Sequence, residues 1–286
     1  MRQMGPRHVP IFRWTLRIAV AMAGLWVVGS AEARWEIECK VEHRRSLLYE
    51  PIKVELVINN RTGQAMHLGR SPEDPQLEVL VERGPNNLVD DVKPLVFDPP
   101  LVVPPRGTVR REINLLDYFK VYATGPYSVQ AQVLWGGEAT HSNRTYLDII
   151  PGMEMAHFTG APAPDGKARY FTLLKAHREL GSYLFLRVDL RSEGTCLGVY
   201  NLGRLVTIYD PDVQLGMDGS LHILHQSGPG QSLHSVFNAA GRPTAQTAHP
   251  ATGELLLTET SIGTFVVESH AVTPVEMPPI PVPPSR

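Results

Sequence analysis

His222, His225 and His234 crowd into one short stretch of the chain and are the best candidates for a chemical site. On a helix, a spacing of three would set His222 and His225 on one face, as a metal centre requires. The stretch is framed by Asp218-Gly219 and Gly228-Pro229-Gly230, however, and turn residues on both sides point to a strand. On a strand, positions 222 and 225 face opposite ways, and a shared metal is lost. With residues 227–230 as a hairpin loop, His225 and His234 share a face diagonally, about 7–8 Å apart. These two are therefore the candidate ligand-binding residues. Two imidazoles without a third donor hold a metal poorly, so neither a metal nor a cofactor is expected.

Other chemistries lack their residues. Asp210, Asp212 and Asp218 have neither the glycine spacing nor the terminal glutamate of a calcium loop. The chain has no Gly-x-Ser-x-Gly elbow, His-Glu-x-x-His, phosphate-binding loop or dinucleotide fingerprint. Ser227 and Ser232 lie near histidines, yet no third orienting group is identifiable for a nucleophilic serine. Strand pairing can bring any two carboxylates together, so a glycosidase-type pair stays open. No catalytic residue is assigned, and the expectation is a protein that is not an enzyme. Cys39 and Cys196 form an even pair, one in each half of the chain. A disulfide between them would staple the halves in an oxidising compartment. Alternatively, Cys39 points into a core as a small hydrophobe. Asn60-Arg61-Thr62 and Asn143-Arg144-Thr145 match the glycosylation sequon.

The chain's address and composition limit the partners. Arg2, Arg7, Arg13 and Arg17 precede an apolar run, Ile18 to Val28, followed by Ala31-Glu32-Ala33. That order reads as a signal peptide over 1–33, and so as export to the periplasm or medium. The run is too short to span a bilayer, although Ile11 and Trp14 could extend it into an uncleaved anchor. No membrane span is expected after cleavage. The 286 residues are 43% hydrophobic and 20% charged, with a formal charge of −2. A real core can form, and nucleic acid is not an expected partner.

The elements that must position these side chains are strands. Trp35, Ile37, Cys39 and Val41 alternate with polar residues, as do Ile52, Val54, Leu56 and Ile58. Leu77–Val81, Val109–Leu115, Tyr127–Trp135 and Tyr146–Ile150 continue the pattern between turns, giving a sandwich over 34–150. Gly125-Pro126-Tyr127-Ser128-Val129 and the stretch Pro51 to Gly63 resemble strands F and B of bacterial Ig-like and fibronectin-III-type domains. The resemblance implies a "tyrosine corner" at Tyr127 and, with Val129 at the second cysteine's place, no B–F disulfide. It implies no fixed activity.

Residues 151–167 read as a linker, 168–272 as a second antiparallel β-rich domain, and 273–286 as a proline-rich extended tail. Over 168–180 a helix competes with a hairpin, because Tyr170, Leu173, Leu174 and His177 also fit helical spacing. Asp218 to Leu224 weakly resembles part of a propeller blade. The fold class is all-β. The leading expectation is an exported, non-catalytic binding or structural module of the cell envelope, its partner a protein or glycan at the cell surface. A carbohydrate-active enzyme or accessory is one alternative. A proteinase inhibitor presenting Arg83–Asn87 or Pro104–Gly107 is another.

Overall fold

The computed structural model describes residues 35–269, except 70, 72, 86, 262 and 263. The expected signal peptide and proline-rich tail lie outside the described residues. Among the described residues the only helical element is one 3-10 turn, Leu115–Asp117, and no helix is long and apolar enough to cross a membrane.

The alternation at the start becomes strand β1 (Trp35–Val41), with Trp35, Ile37 and Cys39 buried. β2 (Arg45–Leu47), β3 (Lys53–Asn60), β4 (Met66–Leu68), β5 (Gln76–Arg83), β6 (Leu101–Val103) and β7 (Thr108–Asn114) follow. β8 (Gly125–Trp135), β9 (Glu138–His141) and β10 (Thr145–Ile150) complete the first half. One sheet runs β1-β3-β7; the other runs β2-β10-β8-β5, with β9 on β8 and β2 parallel to β10. Their inner faces meet through Leu56, Ile58, Val81, Val129 and Leu147 in one core. Removing such aliphatic faces from water is the main force holding two sheets together.

Tyr127 is buried in that core, and its hydroxyl donates to the Ala123 carbonyl at 2.8 Å. Both sequon asparagines use their side-chain amides to hold backbone, Asn60 from a buried position and Asn143 from an exposed one. Asn60 is 1% exposed and donates to the carbonyls of Gln64, Val103 and Pro104. Asn143 donates to the Cys39 carbonyl and accepts from the Cys39 amide, clamping β1 across the sheets.

In the second half come β11 (Met153–Pro162), β12 (Ala168–Arg178), β13 (Gly181–Leu190) and β14 (Thr195–Arg204), joined in that order into a sheet. The segment read as linker is thus largely strand β11, paired with β12. Two register shifts, at Glu154/Ala156 and Thr159/Pro162, interrupt its alternation and hide it from a period-2 reading. β12 and β13 form the hairpin rather than the helix. The helical spacing arose because this sheet is covered on both faces, which puts apolar Tyr170, Phe171, Leu173 and Leu174 on both sides of the strand around Thr172.

β15 (Asp212–Leu215), β16 (Leu221–Gly228), β17 (Gln231–Phe237) and β18 (Pro243–Pro250) form a second four-stranded sheet. β19 (Leu255–Glu259) and β20 (Phe265–Ser269) form a hairpin. Phe171, Leu173, Leu186 and Val188 of the first sheet pack on Leu221, Ile223 and Phe237 of the second. The first sheet's other face, through Leu174, Phe185 and Val199, packs on Leu47 and Tyr49 of the sandwich. At this junction Arg178 donates to both carboxylate oxygens of Glu50. Both side chains are buried, and the guanidinium lies over Phe185 at 4.8 Å.

Candidate functional site

The histidines sit where β16, β17 and β18 run side by side. His222 and His225 do face opposite ways along β16, as a strand requires. His225 and His234, however, do not share a face. The turn pairs Gly228 with Gln231, but Gln226 then pairs with Ser232, so β16 carries one extra residue at Ser227. Leu224, not His225, stands opposite the residue whose side chain was expected beside it, namely His234. A one-residue slip moves every side chain to the other face of its strand. The expected pair is broken, and a different one replaces it.

His225 faces the core beside Leu221 and Ile223. It is 2% exposed and its Nε2 donates to the Arg204 carbonyl at 3.2 Å. Nδ1 is then bare and has no partner among the described residues. Burial pushes its pKa down to about 4, so it is a neutral packing residue at pH 7.

On the outer face, His222, His234 and His249 form a diagonal row across the three strands. The His222 and His234 rings stack at 5.3 Å, with Nδ1 of His222 3.1 Å from Nε2 of His234. His249 lies 6.1 Å from His234, ring to ring. The far nitrogen of His222 meets Ser220 Oγ at 2.9 Å, and that hydroxyl lies 2.6 Å from Asp218 Oδ1. Asp218 also accepts from the Ser220 amide, and these two donors hold its carboxyl below the usual range. An ionised Asp218 takes the single Ser220 proton. Ser220 can then only accept from His222 Nε2, which leaves His222 Nδ1 bare to accept from His234 Nε2.

The proton order runs from His234 to His222 to Ser220 to Asp218. The serine's proton is directed at the Asp218 carboxylate and its oxygen accepts from His222, so His222 is not placed as its base, which is the reverse of a nucleophilic triad. Burial lowers the His222 pKa; burial with the neighbouring His222 and His249 pushes His234 down to about 4. No group of three or more His, Cys, Asp or Glu among the described residues is placed to hold a metal. Sequence reasoning missed Ser220 and His249. The Asp218-Gly219-Ser220 turn was legible, but His249 lies 15 residues beyond His234, on a strand with no alternation to mark it.

Cys39 and Cys196 are both free, which corrects the possible disulfide. Cys39 belongs to the sandwich core and Cys196 packs at the junction, so each is a small apolar group in a different core. Burial raises their pKa values to about 12 and about 11, keeping both as protonated thiols. Of the two inhibitor loops, Arg106 adopts φ +49° in a turn closed by Gly107 donating to Pro104. That backbone is not the extended conformation of a bound peptide. Part of the Arg83–Asn87 loop lies outside the described residues.

A groove of about 590 Å³ opens at the junction. Its walls are two edge strands, β14 and β18, and the sandwich residues Glu42, His43 and Lys53. Tyr200 and Phe237 meet in it at 5.3 Å. Gln246 spans from β18 to β14, donating at 3.0 Å to the Leu202 carbonyl and to Ser235 Oγ. Six consecutive β18 residues, Pro243 to Ala248, are exposed. Grooves between packed units that combine aromatic and convergent polar groups are the usual place for a ligand.

No protein-family model and no curated protein matches the chain. Among solved structures it is similar to a DUF4784 family protein from Bacteroides caccae, at 11% identity. That match covers 81% of this chain and 66% of the other, with a TM-score of 0.21, which carries no argument about fold or function.

Proposed function

We propose that this chain is an exported, non-catalytic binding module that holds an extended segment of a partner protein in the junction groove. The observation that carries the reading is β18, an eight-residue edge strand exposed along most of its length and bordering that groove. An edge strand offers a row of backbone donors and acceptors, and an added strand is the ligand that uses them. Pro243 and Pro250 end the row, since proline has no amide to donate. Glu42 and Lys53 on the rim give both signs of charge for side-chain selection. The export arm rests on the basic start, short apolar run and Ala-x-Ala of residues 1–33.

An Ig-like sandwich as the first half is supported by the β1-β3-β7 and β2-β10-β8-β5 sheet orders, by β2 parallel to β10, and by the Tyr127–Ala123 bond. A displayed library of random peptides, selected on the secreted protein, tests the function. Selected peptides should lose at least about tenfold in affinity on Ala248→Pro, which removes a donor from the open edge: Ala251 donates to Gly230, and the alternation from that pair turns the Ala248 amide away from β17. Peptides that bind wild type and A248P equally would discard the edge-strand reading. Glycan binding abolished by Tyr200→Ala, with no peptide selected, would move the reading to a glycan.

A further inference from the structure

We propose that the His222–His234 stack, with His249 beside it, is an acid-operated latch that holds the β19–β20 hairpin on the outer face of the β15–β18 sheet. The hairpin reaches this face through Phe265, whose ring lies 4.7 Å from that of His222, and through the Leu257 amide, which donates to Asp212 at 2.7 Å. His222 is thus sandwiched between His234 and the hairpin. The stack works only while one of the two facing nitrogens is bare. A second proton sets two N–H groups head to head at the 3.1 Å separation and stacks two cations. The pair has no other acceptor to turn to, because Ser220 already engages the far nitrogen of His222.

The charged and titratable neighbours are few. Asp218 reaches His222 through Ser220, and it favours the cation. Asp212 on β15 is spent on Leu257, and His249 on β18 opposes charge on His234. On the hairpin, Glu259 pairs with Phe265 and so shares its face, whereas Glu268 is engaged by Thr258 on the opposite one. Burial outweighs these acids, and both histidines titrate below their ordinary value of 6.5. The unfolded or released form then binds more protons than the latched form. Latching is complete above about pH 6.5 and weakens as pH falls toward about 4.

Amide hydrogen exchange at pH 7 and pH 4.5, corrected for intrinsic rates, tests this on the secreted protein. Protection in residues 255–259 and 265–269 should fall at least tenfold at pH 4.5, while β12 and β13 keep theirs. The His222→Gln/His234→Gln variant should lose most of that pH response. Equal loss in wild type and variant, unchanged hairpin protection, or simultaneous loss in β12 and β13 would each overturn the latch. Should the double variant not fold, ring ¹⁵N resonances of wild type decide. His222 and His234 changing together with the hairpin amides supports the latch, and hairpin amides changing without them overturns it.

Discussion

At the level of single residues, polar side chains such as Asn60, Asn143 and Gln246 hold distant backbone, and Glu50 and Arg178 form an ion pair buried on both sides. Glu50 and Arg178 illustrate the cost. Glu50 also accepts from the Leu47 amide at 2.9 Å, and Arg178 leaves Nη1 buried without a partner among the described residues. Removing one partner strands a charge in the junction, so Glu50→Gln or Arg178→Met alone should lose about 3–5 kcal/mol in denaturant unfolding. The double replacement Glu50→Leu/Arg178→Met should recover most of that loss, because two apolar groups need no compensation. A double variant as unstable as the two singles summed would mean the pair is net stabilising. The residues with legible roles in the sequence were those fixed by their own neighbours: Tyr127 near the start of its strand, Cys39 on an alternating face, and His222 opposed to His225. The sequons were equally visible as patterns, yet Asn60 and Asn143 turned out to be structural clamps, a role set by distant carbonyls.

Elements depend on fewer residues than their length suggests. The single extra residue at Ser227 selects which histidines meet, since it shifts the β16–β17 register by one. Turns show the same economy. Gly241 has φ +77°, and a Cβ there would lie 2.4 Å from Val188 Cγ1 across the two packed sheets. A Cβ added at Gly253 would meet nothing within 4 Å, and the backbone there is not left-handed. Gly241→Ala should therefore cost about 2–4 kcal/mol, from overpacking plus backbone strain. Gly253→Ala should change stability by less than about 1 kcal/mol. Urea denaturation of the two variants side by side checks the contrast, and equal effects would refute the packing account. β12 and β13 show why element type was partly ambiguous: a sheet buried on both faces erases the alternation that distinguishes strand from helix.

For the whole molecule, the decisive feature is that the second half is not tethered to the sandwich by a free linker. β11 extends a sheet whose outer face completes a core with Leu47 and Tyr49. A shared core couples the halves, so thermal unfolding followed by near-UV and far-UV spectra should give one coincident transition. Two separated transitions would mean the junction contributes little. The second half expressed alone from Met153 would expose Leu174, Phe185 and Val199, and should be less soluble than the full chain.

The sequence by itself determined that the protein is built of strands, where most of them lie, and which side chains on a given strand point together. Those properties are local, since backbone pleating alternates faces whatever the partner strand is. Only the tertiary structure decided that His234 meets His222, that Cys39 and Cys196 sit in separate cores, and that a groove opens between β14, β18 and the sandwich. Register, sheet stacking and edge exposure depend on which distant segments pair, and one bulged residue is enough to reverse every face that follows it.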